Sequence, residues 1–175
     1  MSGHWPFRMA LAALLGVVAA ASALTQEQET DLNPIKWSLK AKLPAKPLKV
    51  GEKFSVELSA RIDRGWHLYS TEPVENGPKP TRITLPKGQA FEQTGEIESP
   101  APRAARDPNF GVEVEFYEGS VTFTIPVRVL PGAAPGGHKL MAQVRYQSCS
   151  QELCLPPKLV KLEAPIEIAA ANPAR

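Results

Sequence analysis

The chain of 175 residues has two cysteines, Cys149 and Cys154, with four residues between them. Cysteines this close can form a disulfide with little backbone movement, but the ring that it closes is small. By the loop-entropy argument, a ring of about 6 residues contributes roughly 2 kcal/mol, whereas a ring of about 50 residues contributes roughly 4. The spacing is therefore evidence for an exchangeable disulfide. A purely structural disulfide that only joins the two strands of a hairpin remains the open alternative.

The residues around the pair do not favour a strongly activated thiol. Glu152 is the only charged residue between the cysteines and disfavours a thiolate, and the nearest cations, Arg145 and Lys158, flank the segment. We therefore expect an oxidised pair that a partner's thiolate attacks, rather than a hyperreactive thiol. Pro156 and Pro157 follow the pair and stiffen its exit, because proline fixes φ and lacks an N–H group.

The N-terminal segment predicts export. His4 and Arg8 precede an apolar run at residues 9–21, and residues 21–23 (Ala-Ser-Ala) are small, as at a signal-peptide cleavage site. A membrane anchor is the alternative, but a run of about 13 residues is shorter than the roughly 20 that span a bilayer. We expect cleavage after Ala23, no stable membrane insertion afterwards, and a periplasmic or secreted product in an oxidising compartment.

The remaining chain suits one domain of about 150 residues. A formal net charge of +2 does not indicate nucleic acid or an anionic membrane surface as a partner. The histidines His4, His67 and His138 show no ligand spacing with the cysteines, so neither a zinc site nor another cofactor is expected. The predicted organisation is a signal peptide at residues 1–23, a polar lead-in at 24–33, one domain at 34–170 and a tail at 171–175.

Alternation of apolar and polar residues predicts the fold. At residues 54–62 every second residue is apolar, and similar runs occur at 37–43, 82–85, 112–117, 121–130, 139–146 and 159–168. Turns rich in proline and glycine separate these runs. The pattern predicts an all-β, immunoglobulin-like antiparallel β-sandwich, with a β-barrel as the alternative. Residues 72–81 and 98–110 do not alternate and are predicted to be long loops, either recognition or lid elements or solvated connectors.

The cysteine segment resembles the motif of a known family. Residues 146–149 (Tyr-Gln-Ser-Cys) and 154–157 (Cys-Leu-Pro-Pro) resemble the N-terminal periplasmic domain of the thiol:disulfide interchange protein DsbD, whose motif is Tyr-Gln-x-Cys, a short loop and Cys-x-Pro-Pro. Residues 65–69 (Gly-Trp-His-Leu-Tyr) look like a strand of that family, and residues 124–127 (Thr-Ile-Pro-Val) look like the strand before its cysteine hairpin. The resemblance covers most of the stretch from about residue 50 to residue 168.

The resemblance implies an immunoglobulin-like domain that passes electrons from a thioredoxin-like domain to periplasmic disulfide isomerases and related thiol proteins. It implies that Cys154 is the exposed cysteine that forms mixed disulfides and that Cys149 resolves them. In the family a cap loop with a phenylalanine shields the pair. The counterpart here is residues 107–111 (Asp-Pro-Asn-Phe-Gly), with Phe110 either a cap or an ordinary buried anchor.

Two aromatic positions that flank the family's site fall on His67 and Tyr69. His67 is either a half-exposed strand residue or a site-lining residue that handles protons. Trp66 and Tyr69 lie on opposite faces of their strand, so at least one of them belongs to the core.

The chain also departs from the family pattern. The best-known form has five residues between its cysteines, so the ring geometry differs here. Asn109 stands where the family's cap has an acidic residue, which weakens the expectation of carboxylate-assisted proton transfer at this cap loop (Asp107 to Gly111). The sequence ends at Arg175, before the family's membrane-embedded and thioredoxin-like domains. The expected electron donor therefore acts in trans, as a thioredoxin-like domain or a membrane electron-transfer protein.

Two functions of different classes follow. The leading hypothesis is a periplasmic module for thiol–disulfide exchange, an oxidoreductase of the protein-disulfide reductase type that uses Cys149 and Cys154. The alternative is an immunoglobulin-like binding or assembly module whose disulfide is purely structural. A hydrolase has no support, because neither a Ser-His-Asp order nor a pair of carboxylates stands out among the loops.

Overall fold

The computed structural model describes residues 32–44 and 47–170, and its regular elements are all β-strands. The predicted signal peptide, most of the polar lead-in and the predicted tail lie outside the described residues. The strands are β1 (Ile35–Lys42), β2 (Lys53–Ile62), β3 (His67–Tyr69), β4 (Arg82–Thr84), β5 (Phe91–Gln93), β6 (Arg103–Arg106), β7 (Glu113–Tyr117), β8 (Ser120–Val129), β9 (Gly136–Tyr146), β10 (Ser148–Cys149) and β11 (Lys158–Ile168). Over the described ranges, no helix has the length and apolarity to cross a bilayer.

The strands form three open antiparallel sheets. The first has the order β1-β2-β8-β5, and the second has the order β11-β9-β4. The third, here called the site sheet, has the order β10-β3-β7-β6 and carries the cysteine segment at one edge.

Alternate side chains of the long strands form one hydrophobic core. Val56 of β2 lies opposite Ile125 of β8, and both are buried completely. Leu140 and Val144 of β9 and Ile166 of β11 belong to the same cluster. Since the first and second sheets bury their apolar faces in a common core, they form the two layers of a sandwich. The predicted all-β immunoglobulin-like fold is confirmed.

The two faces of the site sheet have different environments. Leu68 of β3 and Tyr117 of β7 belong to the main core, and Trp66 packs against it. Tyr69 of β3 and Val114 of β7 belong instead to a second buried cluster, which also contains Cys149. One face of the site sheet therefore packs on the main core, and Cys149 lies with Tyr69 and Val114 on the other face.

Two features of the strand assignment correct the sequence analysis. Residues 98–110 were expected to be a loop, but they contain β6, whose four residues are all exposed. An edge strand with no buried side chain has no apolar alternation, so the pattern could not reveal it. In addition, residues 124–127 lie in β8, and β9 separates them from the cysteine segment along the chain. Residues 72–81 form a loop without strands, as predicted.

Candidate functional site

The two cysteines face each other across a tight hairpin. They form a disulfide in which the two Cα atoms are 4.1 Å apart. Backbone hydrogen bonds join the residue pairs on either side of them: Ser150 N–H to Leu153 (2.8 Å) and Leu155 N–H to Ser148 (3.0 Å). The cysteines therefore occupy a non-hydrogen-bonded position, where antiparallel strands approach most closely. The four intervening residues are the number that a hairpin with a two-residue loop requires at this position.

The two sulfur-bearing residues differ in exposure. Cys149 is 0% exposed and packs in the cluster with Tyr69 and Val114, while Cys154 packs against that cluster and is only partly buried. Cys149 also lies directly opposite His67 in the pairing of β10 with β3. A thiolate that approaches from solvent therefore meets Cys154 first.

The small ring predicts a modest effect of reduction on stability. A ring of this size contributes about 2 kcal/mol, so the reduced protein should stay folded at room temperature. Its melting temperature should fall by roughly 4 to 8 °C. Thermal unfolding followed by circular dichroism, with and without reductant, checks this, and Cys149→Ser/Cys154→Ser should melt like the reduced form. Global unfolding on reduction would instead favour a purely structural clip.

The turn between β6 and β7 is organised by one carboxylate. Oδ1 of Asp107 accepts hydrogen bonds from the backbone N–H groups of Asn109 (2.8 Å) and Phe110 (3.1 Å). The Asp107 carbonyl accepts a third from Gly111 N–H (2.8 Å). Gly111 has φ +69°, which a side chain at this position would strain. We call residues 107–111 the cap turn.

The cap turn reaches the cysteine hairpin directly. The side-chain amide of Asn109 donates a hydrogen bond to the backbone carbonyl of Ser150 (3.1 Å), which links the two hairpin tips. Phe110 packs against the cluster that contains Cys149, with its ring 6.3 Å from that of Tyr69 in an edge-to-face arrangement. Asn109, which the sequence analysis treated as the loss of a carboxylate, thus has a contact of its own with the hairpin.

A buried polar network connects the cap turn to β3. The Tyr69 hydroxyl donates to Oδ2 of Asp107 (2.7 Å), and Nε2 of His67 lies 3.1 Å from the Tyr69 hydroxyl oxygen and 3.4 Å from Oδ2 of Asp107. Because the hydroxyl uses its proton on Asp107, it can accept a hydrogen bond from His67, which favours the tautomer with the proton on Nε2. Asp107 therefore places a carboxylate beside the buried cluster that contains Cys149.

The protonation states follow from burial and from these contacts. Burial lowers the pKa of His67, and the attraction of Asp107 only partly offsets it. Burial and the hydrogen bond to Asp107 raise the pKa of Tyr69, so it remains a phenol. Burial alone would raise the pKa of Asp107, but hydrogen bonds from Tyr69, Asn109 and Phe110 together with His67 outweigh it and lower the pKa. At neutral pH the network is thus a carboxylate, a phenol and a neutral imidazole.

These pKa shifts predict that acid lowers the unfolding free energy of the domain in two stages. As the pH decreases, His67 is protonated near pH 6.5 in the unfolded chain but only at lower pH in the folded protein. The unfolding free energy should therefore decrease as the pH drops below about 6.5. The part that Asp107 contributes should be lost below about pH 4, because its pKa is lowered in the fold. Urea unfolding between pH 7.5 and pH 5 measures the first stage. His67→Asn should make the unfolding free energy depend less on pH over this range, and His138→Asn is the control. Equal slopes of unfolding free energy against pH in the two variants would contradict the assignment of this stage to His67.

The structure brings all seven predicted site residues into one contiguous site. They are the cysteine pair, the two β3 side chains and three residues of the cap turn: Cys149, Cys154, His67, Tyr69, Asp107, Asn109 and Phe110. Their functional roles stay predictions. Sequence reasoning missed Val114 and Phe116 of β7, which complete the cluster, because the alternation of β7 shows only that some of its residues are buried.

An open cavity of about 490 Å³ lies beside the site. His67, Asp107 and Phe116 line it, together with Gln151 from the tip of the cysteine hairpin. Within the described ranges, no group of His, Cys, Asp or Glu side chains is arranged to hold a metal ion.

Comparison with known sequences establishes the family. The family profile described as "Thiol:disulfide interchange protein DsbD, N-terminal" matches residues 39–164, which include both cysteines and the cap turn. The chain belongs to this DsbD N-terminal family. It therefore carries a disulfide at the cysteine motif of a thiol–disulfide exchange family, and the resemblance noted in the sequence is confirmed. No curated protein sequence matches the chain.

Solved structures to which the chain is similar include two N-terminal domains and a pilin subunit. The reduced DsbD N-terminal domain of Neisseria meningitidis is 19% identical, with a TM-score of 0.43 over 65% of this chain and 76% of that one. The N-terminal periplasmic domain of ScsB from Proteus mirabilis is 16% identical, with a TM-score of 0.46 over 76% of this chain and 45% of that one. The pilin subunit BcpA of Bacillus cereus is 9% identical, with a TM-score of 0.41 over 77% of this chain and 39% of that one. Likeness at this level carries no argument about function.

Proposed function

We propose that this DsbD N-terminal domain is a periplasmic thiol–disulfide exchange module, formed by residues 34–170 after removal of a signal peptide at residues 1–23. It relays reducing equivalents through Cys149 and Cys154, from a thioredoxin-like domain or membrane electron-transfer protein to exported thiol proteins such as disulfide isomerases. The observation that carries the proposal is the unequal burial of the two cysteines.

The exchange step can be written from the positions of the sulfurs. A donor thiolate attacks Sγ of Cys154, the bond to Cys149 breaks, and Cys149 takes the electron pair and a proton. A second donor thiolate then attacks the donor's own sulfur in the mixed disulfide, which releases the reduced pair and an oxidised donor. In the next half-reaction the Cys154 thiolate attacks a disulfide of the acceptor, and Cys149 resolves the new mixed disulfide.

The cap turn supports the proposal because it supplies the shielding that such a site needs. A half-exposed disulfide reacts with any small thiol that reaches it in line. Phe110 covers the cluster around the pair, and the hydrogen bond from Asn109 to Ser150 closes the cap turn against the hairpin tip. Asp107 keeps the turn in shape through both carboxylate oxygens. Over the described ranges, the one direct side-chain hydrogen bond between the hairpin tips joins Asn109 to Ser150, so a docked partner has few polar contacts to displace.

The proposal predicts direct exchange with a protein thiol. When the oxidised domain is mixed with reduced thioredoxin, both cysteines should become thiols, detected by mass after alkylation, while the fold is retained. Cys149→Ser/Cys154→Ser should leave thioredoxin reduced and serves as the control. A disulfide that dithiothreitol reduces but thioredoxin does not would contradict a role in exchange with proteins of this class.

A further inference from the structure

A second concave surface lies beside the exit of the cysteine hairpin. It is a groove of about 590 Å³ between the loop at residues 72–81 and the ends of β4 and β9. We name it the cationic groove after its lining side chains Lys79, Arg82 and Arg145. We propose that it binds an acidic segment of the thiol protein that exchanges with Cys154, an inference that rests on the exchange function proposed above.

The charges of the groove are not neutralised by the fold. Arg82 and Arg145 are direct cross-strand partners in the pairing of β4 with β9, and both are exposed. Like charges directly opposite each other destabilise a sheet. Within residues 32–44 and 47–170, neither arginine nor Lys79 forms an ion pair, and none of the lining residues is acidic. The groove thus presents three cations without an internal counter-charge.

The acidic residues nearest in sequence do not change this conclusion. Glu72 and Glu75 belong to the same loop and are exposed, but neither forms an ion pair with a groove cation in the described structure. The Arg82 guanidinium instead donates a hydrogen bond to the Thr71 carbonyl (2.6 Å), which fixes the position of that side chain. An external carboxylate is the complementary group, because a guanidinium can donate two parallel hydrogen bonds to it.

The walls of the groove are rigid. Four prolines line it, Pro73, Pro78, Pro80 and Pro157, of which Pro78 is buried. Proline fixes φ, so these walls lose little conformational freedom when a segment binds. A preformed groove of this kind suits an extended peptide segment.

A side chain ties the groove to the redox site. Oε1 of Gln147 accepts a hydrogen bond from the backbone N–H of Lys79 (2.9 Å), and Nε2 of Gln147 donates to the carbonyl of Leu155 (3.2 Å). Leu155 directly follows Cys154, and Pro157 in the groove wall lies three residues after Cys154, a span of at most about 11 Å. A segment bound in the groove is therefore held within a few residues' reach of the reactive sulfur.

Two synthetic peptides test the inference. Each peptide has one cysteine. The two sequences are identical except at the positions three to five residues away from that cysteine, where one peptide has Asp and Glu and the other has serine. The measured quantity is the initial rate at which the oxidised domain forms a mixed disulfide with each peptide and releases one thiol. The acidic peptide should react about fivefold to tenfold faster at low ionic strength, and this advantage should shrink in salt.

Matched variants separate the groove from general electrostatics. Arg82→Ser/Arg145→Ser should remove the advantage of the acidic peptide and leave the rate with dithiothreitol unchanged. Lys36→Ser/Arg61→Ser removes another exposed cross-strand cation pair, located between β1 and β2, and should keep the advantage. Equal rates for the two peptides, or an advantage that persists in the groove variant, would overturn the inference while exchange stands. A disulfide inert to both peptides and to dithiothreitol would overturn the exchange function itself.

Discussion

Replacing Cys149 with serine should convert the domain into a trap for its partner. In Cys149→Ser the remaining thiol of Cys154 lies at the partly exposed position and can attack a partner disulfide, but the domain has no second thiol of its own to resolve the mixed disulfide. In Cys154→Ser the remaining thiol of Cys149 is 0% exposed behind the cluster of Tyr69 and Val114. We expect Cys149→Ser to accumulate at least about tenfold more mixed disulfide, because the attack requires access to the sulfur.

The measurement is non-reducing electrophoresis and mass spectrometry after each variant is mixed with a single-cysteine thioredoxin variant, whose thiol is activated as a mixed disulfide with a small aromatic thiol so that no second thioredoxin thiol can release the complex. Cys149→Ser/Cys154→Ser is the control for non-specific adducts. Equal trapping by the two single variants, or trapping by neither, would show that the difference in burial does not select the attacking sulfur.

Truncation of the cap should expose the disulfide to small thiols. Phe110 is half-buried, so Phe110→Ala should weaken the closed cap turn by about 1 to 1.5 kcal/mol. Since 1.4 kcal/mol corresponds to a factor of ten, reduction of the disulfide by glutathione should become roughly tenfold faster. The global unfolding free energy should fall by no more than this amount of about 1 to 1.5 kcal/mol, because the ring lies at a hairpin tip rather than in the main core.

A core phenylalanine provides the matched control. Phe91 is 3% exposed and belongs to the main core, so Phe91→Ala should lower the unfolding free energy by about 3 kcal/mol or more without speeding reduction of the folded protein. If Phe110→Ala behaves like this control, with lost stability and an unchanged rate, Phe110 is an ordinary anchor and the cap hypothesis is wrong.

The sequence predicted the long strands well because their environment repeats with a period of two. β2 and β8 each bury every second side chain in the main core, so the alternation of their residues reports directly on the sheet. β6 and β10 escaped this reasoning for different reasons. β6 is an exposed edge strand with no apolar residue facing inward, and β10 has only two residues, both buried.

The members of the site were predictable from motif resemblance, but their connections were not. The pairing of β10 with β3, which places Cys149 opposite His67, depends on a register that no local pattern encodes. The contact between the cap carboxylate and β3 was not predictable for the same reason. Asp107 lies within the cap turn and accepts a hydrogen bond from Tyr69, which is 38 residues away in sequence.

The proposed function requires that the disulfide between Cys149 and Cys154 is exchangeable rather than structural. The most direct test is its reduction potential, obtained by equilibrating the folded domain in glutathione or dithiothreitol buffers and quantifying free thiols after an acid quench. A structural disulfide has a potential below about −300 mV, and an exchangeable one lies higher. We predict a potential above about −300 mV for this domain. A value below about −300 mV would contradict the exchange function and leave the disulfide as a hairpin clip on a binding or assembly module.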